Sequence, residues 1–199
     1  MVNGRKWNGF TFKYNWIEEF EIIYGKGNIN EYYLNGKISF EGEYFNGLKN
    51  GKGKEYYSNG KISFRGEYFN GLKKGEGIEY YQNGFAKFQG EYLNGLKNGK
   101  GKEYYENGKL KFEGEYLDGL RNGNGMIYYK DSSLLFEGEY LGGLRNAYGI
   151  VFNKNGSIQF EGEFLNDERH KEGKEYYENG DLLYDGGYIN GKKNGKVKE

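Results

Sequence analysis

The single histidine of the 199-residue chain, His170, sits in a charged stretch, Asn166-Asp167-Glu168-Arg169-His170-Lys171. An imidazole beside carboxylates could serve as a general base. With no cysteine and no other histidine, neither a metal set nor a catalytic dyad can be completed around it. Residues 167–172 therefore read as a solvated, charged, insertion-like loop. The recurring Gly-x-Gly could suggest a phosphate cradle. However, the spacing from Gly47 to Gly51-Lys52 is one residue short of a P-loop, and no Ser or Thr follows the lysine. Glutamates 41 and 43 and their echoes could ladder a cation, but the lysines alternating with them favour surface ion pairing. Lys49, Lys73, Lys74 and Lys97 could meet phospholipid headgroups, although no segment gathers the several basic residues an acidic leaflet calls for. Interleaved Lys and Tyr suit single-stranded nucleic acid, against which stands a balance of 29 basic and 29 acidic residues. No catalytic residue, metal ligand or cofactor is expected.

What positions these residues is a repeat. Phe40, Phe64, Phe88, Phe112, Phe136 and Phe160 lie 24 apart, and Trp16 and Tyr184 extend the series by one step at each end. The expected organisation is an N-terminal cap over residues 1–15 and an array over 16–199, with units starting at 16, 40, 64, 88, 112, 136, 160 and 184. The end units are degenerate, as terminal caps of arrays usually are: Glu18, Ile23 and Ile29 stand at glycine positions, and so does Val197.

Within a unit, Phe40, Gly42 and Tyr44 alternate with Glu41 and Glu43, the period of a half-buried strand. A second run, Gly51 to Tyr57, starts with the same alternation at Gly51 and Gly53. The pair Asn59-Gly60 and its repeats predict two-residue type I′ hairpin turns, which need positive φ at both positions. Folding one hairpin about Asn107-Gly108 sets Tyr105 opposite Leu110, Glu103 opposite Phe112 and Gly101 opposite Gly114. On the other face, Lys102 meets Glu113 and Lys100 meets Glu115. The first face gathers rings beside glycines that leave them room, and places Glu103 awkwardly among them.

The 36 glycines, 22 tyrosines and 14 phenylalanines follow from this unit. A mean hydropathy of −0.99 usually accompanies disorder, but 19% aromatic content and zero net charge do not. No apolar run approaches the roughly 20 residues of a membrane span. No apolar signal core follows Met1 to Lys6, so a cytoplasmic location is expected, with a peripheral membrane one as the alternative.

Gly-Glu-Tyr-x-Asn-Gly followed by Gly-Lys-Gly, as at Gly42 to Gly47 and Gly51 to Gly53, resembles the MORN (membrane occupation and recognition nexus) repeat over residues 16 to 196. The 24-residue length is similar to a variant common in bacterial proteins, some labelled antitoxins or immunity proteins. The resemblance implies an all-β fold, an elongated single-layer antiparallel β-hairpin solenoid of about eight repeats. It also implies scaffolding, protein binding or dimerisation, in some members phospholipid binding, and no catalysis by the repeats. They take up nearly the whole sequence, so no catalytic domain is expected.

The units are not equivalent. The position of Lys54 becomes Ile78, Met126 and Ile150, and the next becomes Ile127 and Val151. Phe45, Phe69, Leu93, Leu117 and Leu141 form a further apolar column on the face opposite Tyr44. Ala147 to Phe152 departs furthest from the consensus. The candidate partner-binding residues are Met126, Ile127, Leu141, Tyr148, Ile150, Val151, Phe152, Arg169 and His170. The expected structural residues are Phe40, Gly42, Tyr44, Gly51, Gly53, Phe64, Phe88, Phe112, Phe136 and Phe160. An apolar second face needs a cover, either a sister chain in a homodimer or another partner. The expected function is non-enzymatic protein binding, as an inhibitor, an immunity-type protein or a scaffold. The alternatives are a phospholipid-headgroup binder and a nucleic-acid or ribonucleoprotein binder.

Overall fold

A computed structural model describes residues 7–13, 16–22 and 25–194, with side chains from residue 25 onward. Residues 1–6 and 14–15 of the expected cap, Ile23, Val197 and the Glu18 side chain lie outside the described residues. The described chain is all strand and turn. Two compact units divide it, Met1–Leu96 and Lys97–Glu199, and each is described by itself.

The first unit holds β1 Trp7–Lys13, β2 Trp16–Ile22, β3 Lys26–Tyr32, β4 Ile38–Phe45, β5 Leu48–Tyr56, β6 Ile62–Phe69, β7 Leu72–Tyr80 and β8 Ala86–Leu93. The second holds β9 Leu96–Tyr104, β10 Leu110–Leu117, β11 Leu120–Tyr128, β12 Leu134–Leu141, β13 Leu144–Phe152, β14 Ile158–Leu165, β15 Glu168–Tyr176, β16 Leu182–Ile189 and β17 Lys192–Asn194. β1 and β2 pair with each other, and β3 to β17 form one open antiparallel sheet in chain order. This is the single-layer hairpin array that the period implies.

The two turn types are the reverse of the expectation. The I′ turn is at Asn46-Gly47, with φ of 49° and 79°, which closes β4 on β5 with Phe45 opposite Leu48. At Asn107-Gly108 only the glycine has positive φ, 81°. There Gly108 N–H donates to the Tyr105 carbonyl at 2.9 Å and Tyr105 N–H to the Lys109 carbonyl at 2.8 Å, making a three-residue loop. Asn107 Oδ1 accepts the Lys109 N–H at 3.0 Å, a bond that suits Asn in a right-handed turn. The extra loop residue shifts the first pair, so Leu110 faces Tyr104 and not Tyr105. The other predicted pairs, Phe112 with Glu103, Glu113 with Lys102, Gly114 with Gly101 and Glu115 with Lys100, are all present.

One face carries the core. Phe40, Phe64 and Phe88 in the first unit and Phe112, Phe136 and Phe160 in the second are buried. Phe40 meets Tyr44 edge-on at 5.7 Å and Tyr68 of the next repeat at 5.5 Å; Phe112 meets Tyr116 and Tyr140 in the same way, each at 5.5 Å. Such pairs contribute about 0.5–1.5 kcal/mol beyond the area they bury. The glycines are there for room: a Cβ on Gly53 would lie 2.6 Å from the Phe40 ring, and one on Gly42 would lie 2.6 Å from the Gly53 Cα.

Cations cap the rings. Lys49 Nζ stands 3.9 Å from the Phe40 centroid and pairs with Glu31 at 3.4 Å and Glu55 at 4.0 Å. Lys73 repeats this over Phe64, with Glu55 and Glu79. In the second unit Arg121 covers Phe112 at 4.1 Å and its Nη2 lies 2.6 Å from Glu103. Glu103, awkward on paper, is thus a paired member of this ladder. Burial pushes its carboxyl up, but Arg121 and Lys97 more than offset this and hold it below the usual carboxylate range.

Candidate functional site

The face opposite the rings alternates acid and base wherever the repeat keeps its consensus. In the first unit Lys54 Nζ lies 2.8 Å from Glu41. Hydrogen bonds from Lys54 and Tyr56 hold the Glu41 carboxyl below its ordinary value. In the second unit Glu113 is held the same way by Lys102 at 3.0 Å and by the Tyr128 hydroxyl, which donates at 2.8 Å. Burial, then the bond to Glu113, pushes Tyr128 up to about 12. Glu161 receives the Tyr176 hydroxyl at 2.7 Å and has Lys174 at 3.9 Å.

Glu137, on β12, breaks the series. It faces Met126 of β11 and Ile150 of β13, where its counterparts face lysine. Phe152 stands one repeat after Tyr128, so the hydroxyl is missing as well. The next acid on this face, Glu139, faces Asn124 and Asn146. Glu137, Glu139 and Asn124 line a groove of about 640 Å³ that is apolar at Met126, Tyr148 and Ile150 and reaches the paired Lys102 and Glu113 on its far side.

The same strands also lose their carboxylates on the ring face. Ile127 and Val151 occupy the positions of Glu103 and Glu175, opposite Phe136 on either side. Phe164 replaces a core tyrosine one repeat after Tyr140. Tyr140 keeps its hydroxyl, buried with no hydrogen-bond partner. Arg145 is anchored instead by Asp167, whose Oδ1 accepts from its Nε at 3.0 Å and from its backbone N–H at 2.9 Å.

The candidates thus fall in different places. Met126, Tyr148, Ile150 and Phe152 gather on the groove face. Ile127 and Val151 belong to the ring face, with Val151 only 8% exposed. Leu141 flanks a turn and is 61% exposed. Arg169 caps the Phe160 ring at 4.4 Å and donates to Glu175, so it is a member of the ladder. His170 lies within β15.

The expected loop over 167–172 is not a loop. Asn166 and Asp167 form the I′ turn with φ of 51° and 70°, Lys171 takes the left-handed bulge position of Gly51 with φ of 51°, and β15 starts at Glu168. Polar residues here hid a unit of ordinary length.

Sequence reasoning missed two features. Leu48, Leu72, Leu96, Leu120 and Leu144 each share a turn with one of the Phe45-type residues, making exposed apolar pairs. Their 24-residue spacing was the available signal. Glu137 could have been found from its offsets, since the partners of Glu113 and Glu41 lie 11 residues before or 13 and 15 after, and at Glu137 all three positions are apolar.

Stacked hairpins with cores buried repeat by repeat define a β-hairpin repeat array. Residues 40–62, 64–85, 112–134, 136–158, 160–182 and 184–196 match the MORN repeat, and 97–118 match the MORN repeat variant. The chain belongs to the MORN repeat family. Repeats of this kind serve binding, often of membranes or proteins, and are generally not catalytic. No curated protein matches the chain. Among the described residues no helix is long and apolar enough to cross a membrane.

Proposed function

We propose that this chain is a non-enzymatic scaffold that binds a protein partner through the groove face of its second unit, as an inhibitor, an immunity-type protein or a scaffold. The observation that carries this reading is the replacement of cross-strand lysines on both sides of one glutamate, by Met126 and Ile150 around Glu137, beside Tyr148 and Phe152. Ile78 makes the same exchange in the first unit, but it faces Arg65 and Gln89. Apolar residues at such positions lose the ion pairs, each worth a few tenths of a kcal/mol, and leave apolar area open to water. A bound partner removes that area from water. Candidate residues of the ring face, Ile127, Val151 and Arg169, take a packing role in this reading, and a second copy of the chain is the alternative occupant.

The headgroup reading has less support. Lys49 and Lys73 lie over rings between two carboxylates each, and Lys74 sits 4.6 Å from the Phe69 centroid. Capture from cells of origin with the wild-type chain and an Ile150→Asp, Phe152→Asp double variant, both checked for folding by circular dichroism, tests the proposal. A protein retained by the wild type and lost by the variant is expected. Flotation with acidic liposomes, strong at low salt and abolished at high salt, would favour lipid instead.

A further inference from the structure

We infer that the partner enters the groove as an extended segment carrying two basic side chains two residues apart, one directed to Glu137 and the next to Glu139. This rests on the protein-binding reading above and names the chemistry of the partner. Glu137 and Glu139 are successive groove-face residues of β12, and on both neighbouring strands the facing residues are neutral: Met126 and Ile150 for the first, Asn124 and Asn146 for the second. One repeat earlier, on β10, Glu113 and Glu115 face Lys102 and Lys100. The repeat thus supplies this pair of acids with two lysines there and with none here.

Glu137 is half-buried beside apolar side chains, so it is poorly solvated and gains most from a cation brought by a partner, while the exposed Glu139 adds a second, weaker attraction. Residues i and i+2 of an extended chain lie about 6.6–6.8 Å apart on one face, the repeat of the acids themselves. Arginine fits best. Its stem covers the Met126 and Ile150 side chains while the guanidinium meets the carboxylate with two parallel bonds. An acidic segment would meet uncompensated like charge, which makes the groove selective as well as attractive.

The test is fluorescence anisotropy of the full chain with three labelled peptides alternating leucine with arginine, serine or glutamate. The arginine peptide should bind, the other two should not, and a Glu137→Gln, Glu139→Gln double variant should weaken binding by at least about tenfold. Glu67→Gln, on the same face of the first unit, should leave binding unchanged. Glu137→Lys with Glu139→Lys should transfer binding to the glutamate peptide, which separates recognition from misfolding. Equal binding of the serine peptide, or affinity unmoved by the Gln substitutions, overturns the inference. So does self-association of the chain that depends on Glu137, since the occupant would then be a second copy. A partner captured in the cell experiment that depends on Ile150 but ignores Glu137 and Glu139 overturns this inference alone; no captured partner overturns the reading beneath it.

Discussion

A single methyl group is enough to probe the core of each unit. A Cβ on Gly125 would stand 2.6 Å from two atoms of the Phe112 ring. Gly125→Ala should therefore lose about 1–3 kcal/mol in a denaturant titration, the usual penalty for overpacking. The opposite sign is expected at Ala147, which has φ of 55° where Gly51 and Gly123 stand in other repeats. Ala147→Gly relieves a left-handed conformation that costs an L-residue about 1–2 kcal/mol and returns part of this as backbone entropy. A rise of the melting temperature by a few degrees should result. The tyrosines offer an internal comparison. Tyr44 donates to Glu31, so Tyr44→Phe should cost about 1 kcal/mol. Tyr140 has lost the matching carboxylate to Ile127, so Tyr140→Phe should be neutral or stabilising by the same measurement. Phe164 is this second change already made, one repeat later, beside Val151.

Strand pairs and turns carry the charge balance. Glu41, Glu103, Glu113 and Glu175 all have carboxyls held below the ordinary 4.5. A depressed folded-state value contributes stability that is present above the unfolded value and lost as pH falls through the folded one. The denaturation midpoint should therefore drop as the pH is lowered from about 5 to about 3, and Glu103→Gln should be less stable at neutral pH with a flatter acid limb. Much of this level was legible in the sequence. The 24-residue period and the Phe-Gly-Tyr alternation dictate the strands, the ring-bearing face and four of five pairs in the hairpin folded on paper. The turns were not legible, because Asn-Gly serves both a two-residue I′ loop at 46–47 and a three-residue loop at 106–108. The two differ in where the pairing ends and in the asparagine, which has positive φ at Asn46 and not at Asn107. Asp167 and Lys171 misled because polarity resembles a loop, although the period places them at the positions of Gly47 and Gly51, and their positive φ bears this out.

For the molecule as a whole, many of the balanced charges are paired locally on both faces, and the proposed function lies where those pairings stop. The ring-face break at Ile127 and Val151 is repaired internally, by Phe164 and by Asp167 holding Arg145. The groove-face break at Met126, Ile150 and Phe152 has no such repair within its own face, which is why it carries the functional reading. The sequence showed the substituted positions, and the hairpin folded about Asn107-Gly108 already set Lys102 and Glu103 on opposite faces. Carried forward 24 residues, it divides Met126 from Ile127, a division the candidate set does not draw. The most direct measurement is site-specific photo-crosslinking in the cell of origin. The photoreactive residue would stand at position 150 in one variant and at position 85, an exposed turn residue of the first unit, in another. Protein adducts from position 150 and none from position 85 are predicted. Adducts equal at both positions, or lipid in place of protein at position 150, would contradict the account.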